Sequence, residues 1–567
     1  MLQRHRHWIL GLATLALVAC GGGGGTGSAA TSGSSSGSST SSSGSSSSGG
    51  SSSSGSSSSG GSSSGSTSSS SSSSSGSTSS SGGSTTAHGT LVQATQTAAL
   101  NTSTLQSDLS SIASSYAQSA IGTPTCGVTV YKIEFWTTGA AGESTESSGA
   151  LMLPTGTGCS GARPIVMYAH GTATDSAFDM SAVTDSSNSA YAEGIMMAAV
   201  FAAQGYIVVA PNYAGYDIST LGYHPYLNAS QQSGEMIDAL TAARTALSST
   251  AAAVGDTDSG KLLVTGYSEG GYVAMATQRA LEQAGTTMTA AAPLSGPYAL
   301  EAFGDAIFYG NVAEGATAFA PLITTSYQHA YDNVYNSTSD VYSSTYATGI
   351  DTLLPSTTPI DTLVSEDKLP ATALFDSTTP TTSSYPSINS TLASELAIPG
   401  GYTTTDEIYQ QGFGNPYLIT NDYRVQYALD AYNDADGAVP TANGYGLAST
   451  EPTVGLRQDL YLNDMRYGGW TPSHPTLMCG GDQDPEVFFN TNTGTMQNVW
   501  SALPAGRVTV LDLSATASGT YSTLQSDFQS YETSLEASQT ALQIAENYHV
   551  DMVPYCAVAA RTFFDAQ

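Results

Sequence analysis

Basic residues are scarce: 13 Lys and Arg stand against 45 Asp and Glu, a formal net charge of −32 at pH 7. Lys132, Lys261 and Lys368 are the only lysines. A chain so poor in cations cannot neutralise a phosphate backbone or adhere to anionic lipid by charge, so nucleic acid is excluded as a partner. Cysteine is sparse too, at five residues in 567, and the spacings do not resemble a zinc site. No metal and no cofactor is expected. Long apolar runs are missing as well. The one candidate, Trp8 to Ala19, is too short to cross a bilayer as a helix.

That short run carries a different meaning. Arg4 and Arg6 precede it, and it ends Leu17-Val18-Ala19-Cys20, so residues 1–20 read as an export signal that resembles a bacterial lipobox. In such signals the cysteine, here Cys20, is lipidated and becomes the mature N-terminus. One chain anchors only marginally, since each buried methylene contributes roughly 0.8 kcal/mol, so lasting attachment needs several. Residues 21–86 are almost wholly Gly and Ser. With no apolar surface to bury they are expected to form a disordered tether. The expected location is the bacterial cell envelope, as an outer-membrane or surface lipoprotein held by its N-terminal anchor, or released from it.

The remainder has an alternating rhythm. Val128–Thr137 and Gly149–Leu153 predict an antiparallel strand pair. Strands at Pro164–Ala169, Tyr206–Ala210, Lys261–Thr265 and Thr289–Leu294 are then separated by helices at Tyr191–Gln204, Ser233–Leu247 and Gly270–Ala284. Short continuous apolar runs between amphipathic helices predict an α/β fold with a mostly parallel central sheet and helices on both faces. Residues 91–122 carry apolar positions at helical spacing and predict an N-terminal helical segment. The rhythm breaks between 296 and 472, a Tyr-, Thr-, Ser- and Pro-rich stretch with helical pieces near 300–320 and 421–434. It resumes with strands at Thr476–Cys479 and Arg507–Leu513 and helices near 487–503, 520–546 and 555–564. The expected organisation is therefore a core split into 87–295 and 473–567 by a cap insertion, 296–472. A separate surface-binding domain is the competing reading of that insertion.

Gly266-Tyr267-Ser268-Glu269-Gly270-Gly271 contains G-x-S-x-G. The pattern alone is worthless here, because the Gly/Ser tract matches it too. Its position decides: KLLVT before it predicts a strand and YVAMATQRALEQA after it a helix, the context a nucleophile elbow requires. Gly266 and Gly270 allow a tight turn that lifts Ser268 above the strand end, beside a helix N-terminus that favours a developing anion. The bland alternative is a glycine-rich turn with an idle serine. In such elbow hydrolases the acid and then the base follow the nucleophile along the chain. Of the later histidines, His329 lies in the insertion and His474 precedes its strand. His549, between the last strand and the last helix, is the expected base. For the acid, Asp482 and Asp484 compete, and Gly481-x-x-Asp484-x-x-Val487 favours Asp484, leaving Asp482 to cap a turn. The oxyanion donors are expected to be the N–H of Glu269 and an N–H of the loop at His170-Gly171-Thr172, with Thr172 chosen over its neighbours and His170 structural. Besides Cys20, an even number of cysteines in an exported chain suggests two disulfides, with three possible connectivities. Cys479 ends the acid-bearing strand and Cys556 opens the helix after the base. The preferred pairs are therefore Cys479–Cys556 and Cys126–Cys159.

Several segments together resemble the secretory lipase family of α/β-hydrolases, typified by Candida antarctica lipase A, and its bacterial relatives. They are Tyr168-Ala169-His170-Gly171-Thr172, Ala210 to Tyr216, His224-Pro225-Tyr226-Leu227 with Asp238-Ala239-Leu240, Gly266 to Gly271, and the Asp484 loop. The resemblance implies hydrolysis of carboxylic esters through an acyl-enzyme, no cofactor, a cap over an apolar acyl site, and a triad on Ser268, Asp484 and His549. Two departures stand out: Asn212 occupies a position usually held by Asp, and the segment 514–548 before His549 is long. Rival expectations are a secreted peptidase on the same scaffold, a penicillin-recognising enzyme built on Ser365-x-x-Lys368, and a non-catalytic surface-binding lipoprotein. Asp434-Ala435-Asp436-Gly437 hints at a calcium turn but lacks the spaced ligands of an EF-hand, and reads as a loop.

Overall fold

The computed structural model describes residues 87–401, 403–433 and 452–567. Cys20, the Gly/Ser tract and the Asp434–Gly437 turn lie outside the described residues. No helix among the described residues is long and apolar enough to cross a membrane.

A nine-stranded sheet forms the core. Its strands are β1 (Leu91–Leu100), β2 (Gly127–Thr138), β3 (Ser144–Thr155), β4 (Ala162–Ala169), β5 (Ile207–Pro211), β6 (Thr257–Tyr267), β7 (Ala290–Leu294), β10 (Thr476–Gly480) and β11 (Val508–Asp512). A two-residue ladder in the insertion, β8 (Phe375–Asp376) with β9 (Phe413–Gly414), completes the numbering. The spatial order is β1-β2-β3-β5-β4-β6-β7-β10-β11. The first three pairings are antiparallel, and every pairing from β5 onward is parallel. The parallel strands are buried on both sides, as their unbroken apolar runs require.

Helices cover both faces. α4 (Ala229–Ser248) and α5 (Glu269–Gln283) pack together against the sheet. α1 (Thr102–Ile112), α2 (Ser115–Ile121), α3 (Tyr191–Val200), α14 (Ser522–Leu535) and α16 (Val553–Asp565) form the other layer, with α15 (Ala541–Asp551) leading into α16. α13 (Thr495–Val499) lies between β10 and β11. Between β7 and β10 run α6 (Leu300–Tyr309), α7 (Ala316–Tyr331), α8 (Ile360–Ser365), α9 (Ser390–Glu395), α10 (Thr404–Gln411), α11 (Asn421–Asn433) and α12 (Gly455–Asn463). A buried ionic cluster ties this insertion together. Arg457 on α12 grips Asp305 on α6 through two 2.8 Å hydrogen bonds and also pairs with Glu301 at 2.8 Å. Arg466 adds Asp464 at 2.9 Å and Glu301 at 3.2 Å. Removing one partner from such a cluster strands a buried charge and typically costs about 3–5 kcal/mol.

Three expectations need correction. Residues 91–100 are an edge strand, not part of a helix. The register with β2 slips between Leu91 and Gln93 and again between Gln96 and Ala98. These bulges bring Leu91, Ala94 and Ala98 to the packed side, a spacing that mimics a helical stripe. The stretch 520–546 is two helices, because Thr540 caps α15 in a reciprocal capping box with Gln543. His549 therefore sits in the last turn of α15 rather than in a loop. The two disulfides are Cys126–Cys159 and Cys479–Cys556, the second tying β10 to α16.

Candidate active site

Ser268 occupies the single-residue corner between β6 and α5, with φ 60° and ψ −123°. A non-glycine residue held there stores strain of order 1–3 kcal/mol, which the surroundings must overcome. The left-handed geometry thus belongs to the serine itself; neither flanking glycine has positive φ. The glycines are needed for close approach. A Cβ on Gly266 would lie 2.2 Å from the Gly270 carbonyl oxygen, one on Gly270 2.0 Å from that of Ala169, and one on Gly271 2.2 Å from that of Leu294. Three strand ends therefore abut the corner, and the Ser268 N–H donates to the Leu294 carbonyl at 3.0 Å.

Asp484 lies in the turn after β10. Its Oδ1 accepts the backbone N–H groups of Glu486 and Val487, both at 3.0 Å, which curls the turn back over the sheet end. Its Oδ2 accepts the Ser295 hydroxyl at 2.9 Å and His549 Nδ1 at 2.6 Å. Four donors thus converge on two oxygens, the complement of a carboxylate. Asp482 is exposed and accepts the Ser514 hydroxyl at 2.7 Å, a surface turn contact. α15 docks against the elbow, because the Tyr267 hydroxyl donates to the His549 carbonyl and the two rings lie 5.0 Å apart. His549 Nε2 is buried and has no hydrogen-bond partner among the described residues, Ser268 included. Glu486 Oε1 lies 3.7 Å from it. Burial opposes charge on the imidazole, but the Asp484 and Glu486 carboxylates outweigh it and raise His549 to about 9. Burial pushes the Glu486 carboxyl up to about 7.

The N–H groups of Glu269, at the first position of α5, and of Thr172 have no acceptor among the described residues. The loop carrying Thr172 passes close by: a Cβ on Gly171 would lie 3.8 Å from the Ser268 Cβ. Its supports are buried. Glu193 on α3 accepts the Tyr168 hydroxyl at 2.6 Å and the Gly171 N–H at 3.3 Å. His170 stacks on Tyr213 at 4.1 Å, and both its ring nitrogens face carbonyls. Burial lowers its imidazole to about 4, so it stays neutral. Behind the elbow, Glu269 Oε1 accepts Gln232 Nε2 at 2.6 Å and meets His224 Nε2 at 2.7 Å, while His224 Nδ1 donates to the Ala214 carbonyl. Asn212 is explained by its neighbours: Nδ2 donates to Ser148 and to Asp179, where an aspartate would meet like charge.

A cavity opens onto Ser268. Its lining is overwhelmingly apolar, with Leu300, Phe303, Ile307, Phe319 and Ile323 contributed by α6 and α7 of the insertion. Glu269 and Glu486 are the carboxylates on its wall; Glu269 Oε1 is engaged, whereas Glu269 Oε2 and Glu486 Oε1 have no hydrogen-bond partner among the described residues. Elsewhere, Ser365 bonds within its own helix and Lys368 is exposed, so no second centre forms there. Glu193, Glu486 and the His224–Glu269 pair were not anticipated. Glu193 did leave a signal, a lone carboxylate in the otherwise apolar YAEGIMMAAV.

Solved structures share this architecture. The rice cell wall degrading esterase LipA from Xanthomonas oryzae aligns over 85% of this chain and all of its own, with a TM-score of 0.60 and 24% identity. A hydrolase from Legionella pneumophila aligns over 84% of this chain and 97% of its own, with a TM-score of 0.51 and 19% identity. The fold is that of the α/β-hydrolases. Residues 195–343, which include the elbow, match the prolyl oligopeptidase family model. Candida antarctica lipase A aligns over 75% of this chain and 76% of its own at 12% identity, but its TM-score of 0.37 is too low to carry an argument. No curated protein matches the sequence.

Proposed function

We propose that this α/β-hydrolase-fold protein is a serine esterase or lipase that cleaves carboxylic esters with an apolar acyl group. The observation that carries the reading is a strained serine at a helix N-terminus, lining an apolar cavity, with a carboxylate-held imidazole packed on the adjacent Tyr267. Ser268 is the nucleophile. His549, oriented through Nδ1 by Asp484, takes its proton at Nε2 as the hydroxyl turns toward it. Catalytic hydrogen bonds of this kind are often loose in empty sites and tighten when substrate binds. The Glu269 and Thr172 N–H groups receive the oxyanion, and each such donor contributes roughly 3–4 kcal/mol to the transition state. His549 then protonates the leaving alcohol, and water repeats the sequence on the acyl-enzyme.

The esterase description of the Xanthomonas protein supports the ester substrate, as does the cavity's apolar lining. The cap role of 296–472 rests on α6 and α7 supplying that lining. Two disulfides support an oxidising compartment, and with the signal-like N-terminus they favour an exported, lipid-anchored protein. A secreted peptidase is the second reading, favoured by the prolyl oligopeptidase match. Hydrolysis of p-nitrophenyl esters against matched p-nitroanilides separates the two. Ser268→Ala should abolish whichever activity is present while leaving the fold intact; full activity in that variant overturns the assignment.

A further inference from the structure

Glu486 is an anomaly in this cavity. It is a carboxylate on an apolar wall, with its side chain 9% exposed and Oε1 without a hydrogen-bond donor among the described residues. Burying such a group unpaired is costly, so its place calls for a role. Its neighbour is the nitrogen on which the proposed mechanism turns: Oε1 is 3.7 Å from His549 Nε2, on the side of the ring opposite Asp484. The imidazole is thus set between two carboxylates.

We propose that Glu486 is a positioning residue that holds His549 as imidazolium in the empty site and releases it as a base when substrate fills the cavity. The inference rests on reading Ser268 as the nucleophile and His549 as its base. While Glu486 is ionised, its charge stabilises the proton on His549. An apolar acyl chain entering the cavity removes the remaining solvent exposure of the Glu486 side chain and favours its neutral form, so the proton on His549 Nε2 passes to the Glu486 carboxylate. The charge beside Nε2 then disappears, the imidazole's proton affinity falls, and Nε2 can accept from Ser268. Glu486 and His549 therefore titrate as one system. The other ionisable groups facing it are few. Tyr267 reaches the His549 carbonyl and Tyr548 precedes His549 on α15. Across the cavity stand Tyr226 and Glu269, the latter already engaged by His224 and Gln232. The lining from α6 and α7 brings no ionisable side chain. The burial that raises Glu486 to about 7 and the paired carboxylates that raise His549 to about 9 fit this coupling.

The test is the pH profile of p-nitrophenyl ester hydrolysis, followed at the phenol–phenolate isosbestic wavelength, for wild type, Glu486→Gln and Glu486→Asp. The acid limb of kcat/KM reports the free enzyme and that of kcat the complex. In the wild type the kcat/KM limb should lie at higher pH than the kcat limb. In Glu486→Gln the kcat/KM midpoint should fall by about one to three units and meet the kcat midpoint, because a neighbouring opposite charge is worth that much. Glu486→Asp, which keeps the charge on a shorter arm, should lie between. Midpoints that coincide with wild type, even with reduced amplitude, would mean a merely structural role and overturn the proposal. If the Gln variant does not fold, the Asp variant decides by the same criterion. A wild type that turns over no ester sinks the esterase reading itself, and this inference with it.

Discussion

Replacing Asp484 with Asn changes one atom and reverses two hydrogen bonds. Oδ1 of Asp484 is held by the backbone N–H groups of Glu486 and Val487, both at 3.0 Å. An asparagine at 484 must keep its carbonyl oxygen there, since its NH₂ would face two donors. The NH₂ then takes the place of Oδ2, against the Ser295 hydroxyl and His549 Nδ1. The hydroxyl can rotate to accept. The imidazole can accept at Nδ1 only by carrying its proton on Nε2, the nitrogen that receives the serine proton in the proposed mechanism. The variant is thus folded, correctly shaped and in the wrong tautomer. In serine triads such a change lowers kcat by about 10⁴-fold, roughly 5.5 kcal/mol of transition-state stabilisation. The assay is steady-state hydrolysis of p-nitrophenyl butyrate beside circular dichroism. Asp482→Asn serves as the partner variant and should stay within about twofold of wild type, being an exposed turn residue. An Asp484→Asn enzyme retaining more than a tenth of kcat would refute the reasoning, as would a larger loss in Asp482→Asn.

Other outcomes follow from the same structure. Substituting Ile323, on the cavity wall, by Trp should lower the ratio of kcat/KM for dodecanoyl over acetyl p-nitrophenyl esters about tenfold, because a filled pocket excludes added methylenes; an unchanged ratio places the acyl chain elsewhere. Burial raises Glu486, Asp459 and Asp551 to about 7 and Glu532 to about 8. These groups keep protons in the folded chain that the unfolded chain has already released, and His549, raised by its carboxylates against burial, acts in the same direction. Stability should therefore fall as pH rises from 6.5 to 8.5, read as a decreasing Tm; a Tm that climbs over that window contradicts it. Cys479 and Cys556 are 77 residues apart, so removing that bridge as the double Ala variant should cost about 4.5 kcal/mol by loop-closure entropy, measured by denaturant titration. An effect below 1 kcal/mol would show that the bridge does not constrain the unfolded chain.

The parallel half of the sheet was legible because doubly buried strands leave unbroken apolar runs, and the elbow because its strand and helix flank it directly. The Cys479–Cys556 pair followed from where the acid-bearing strand ends, and Cys126–Cys159 was the pair left over. The edge was not legible. β1 carries two bulges, and each shifts its inward-facing set by one residue, so the two-residue period was erased. The split between α14 and α15 did have a sequence mark, Thr540-x-x-Gln543, a capping box inside what reads as one continuous helix. Glu486 was illegible for a different reason. A glutamate two residues beyond Asp484 looks like a solvated loop residue until the insertion folds over it and leaves its oxygen facing an apolar cavity. Local sequence cannot report that burial, because the covering residues come from α6 and α7, more than a hundred positions away.

What separates a base from a strut among these histidines is the second ring nitrogen. His170 and His224 are as buried as His549 and as near the elbow, and chain order alone would reject them without a physical reason. His170 has both nitrogens against carbonyls, and His224 spans the Ala214 carbonyl and the Glu269 carboxylate. Each has both nitrogens facing the loops it holds, so neither presents an open nitrogen to an incoming hydroxyl. His329 is exposed and lies flat on Tyr223, while His474 is tied to Glu282 at the sheet's other end. In His549 Nδ1 alone is engaged, and Nε2 is buried with no hydrogen-bond partner among the described residues and a carboxylate 3.7 Å away. A buried nitrogen left open in this way is a cost the fold carries without any structural return, and proton transfer is the use that explains it.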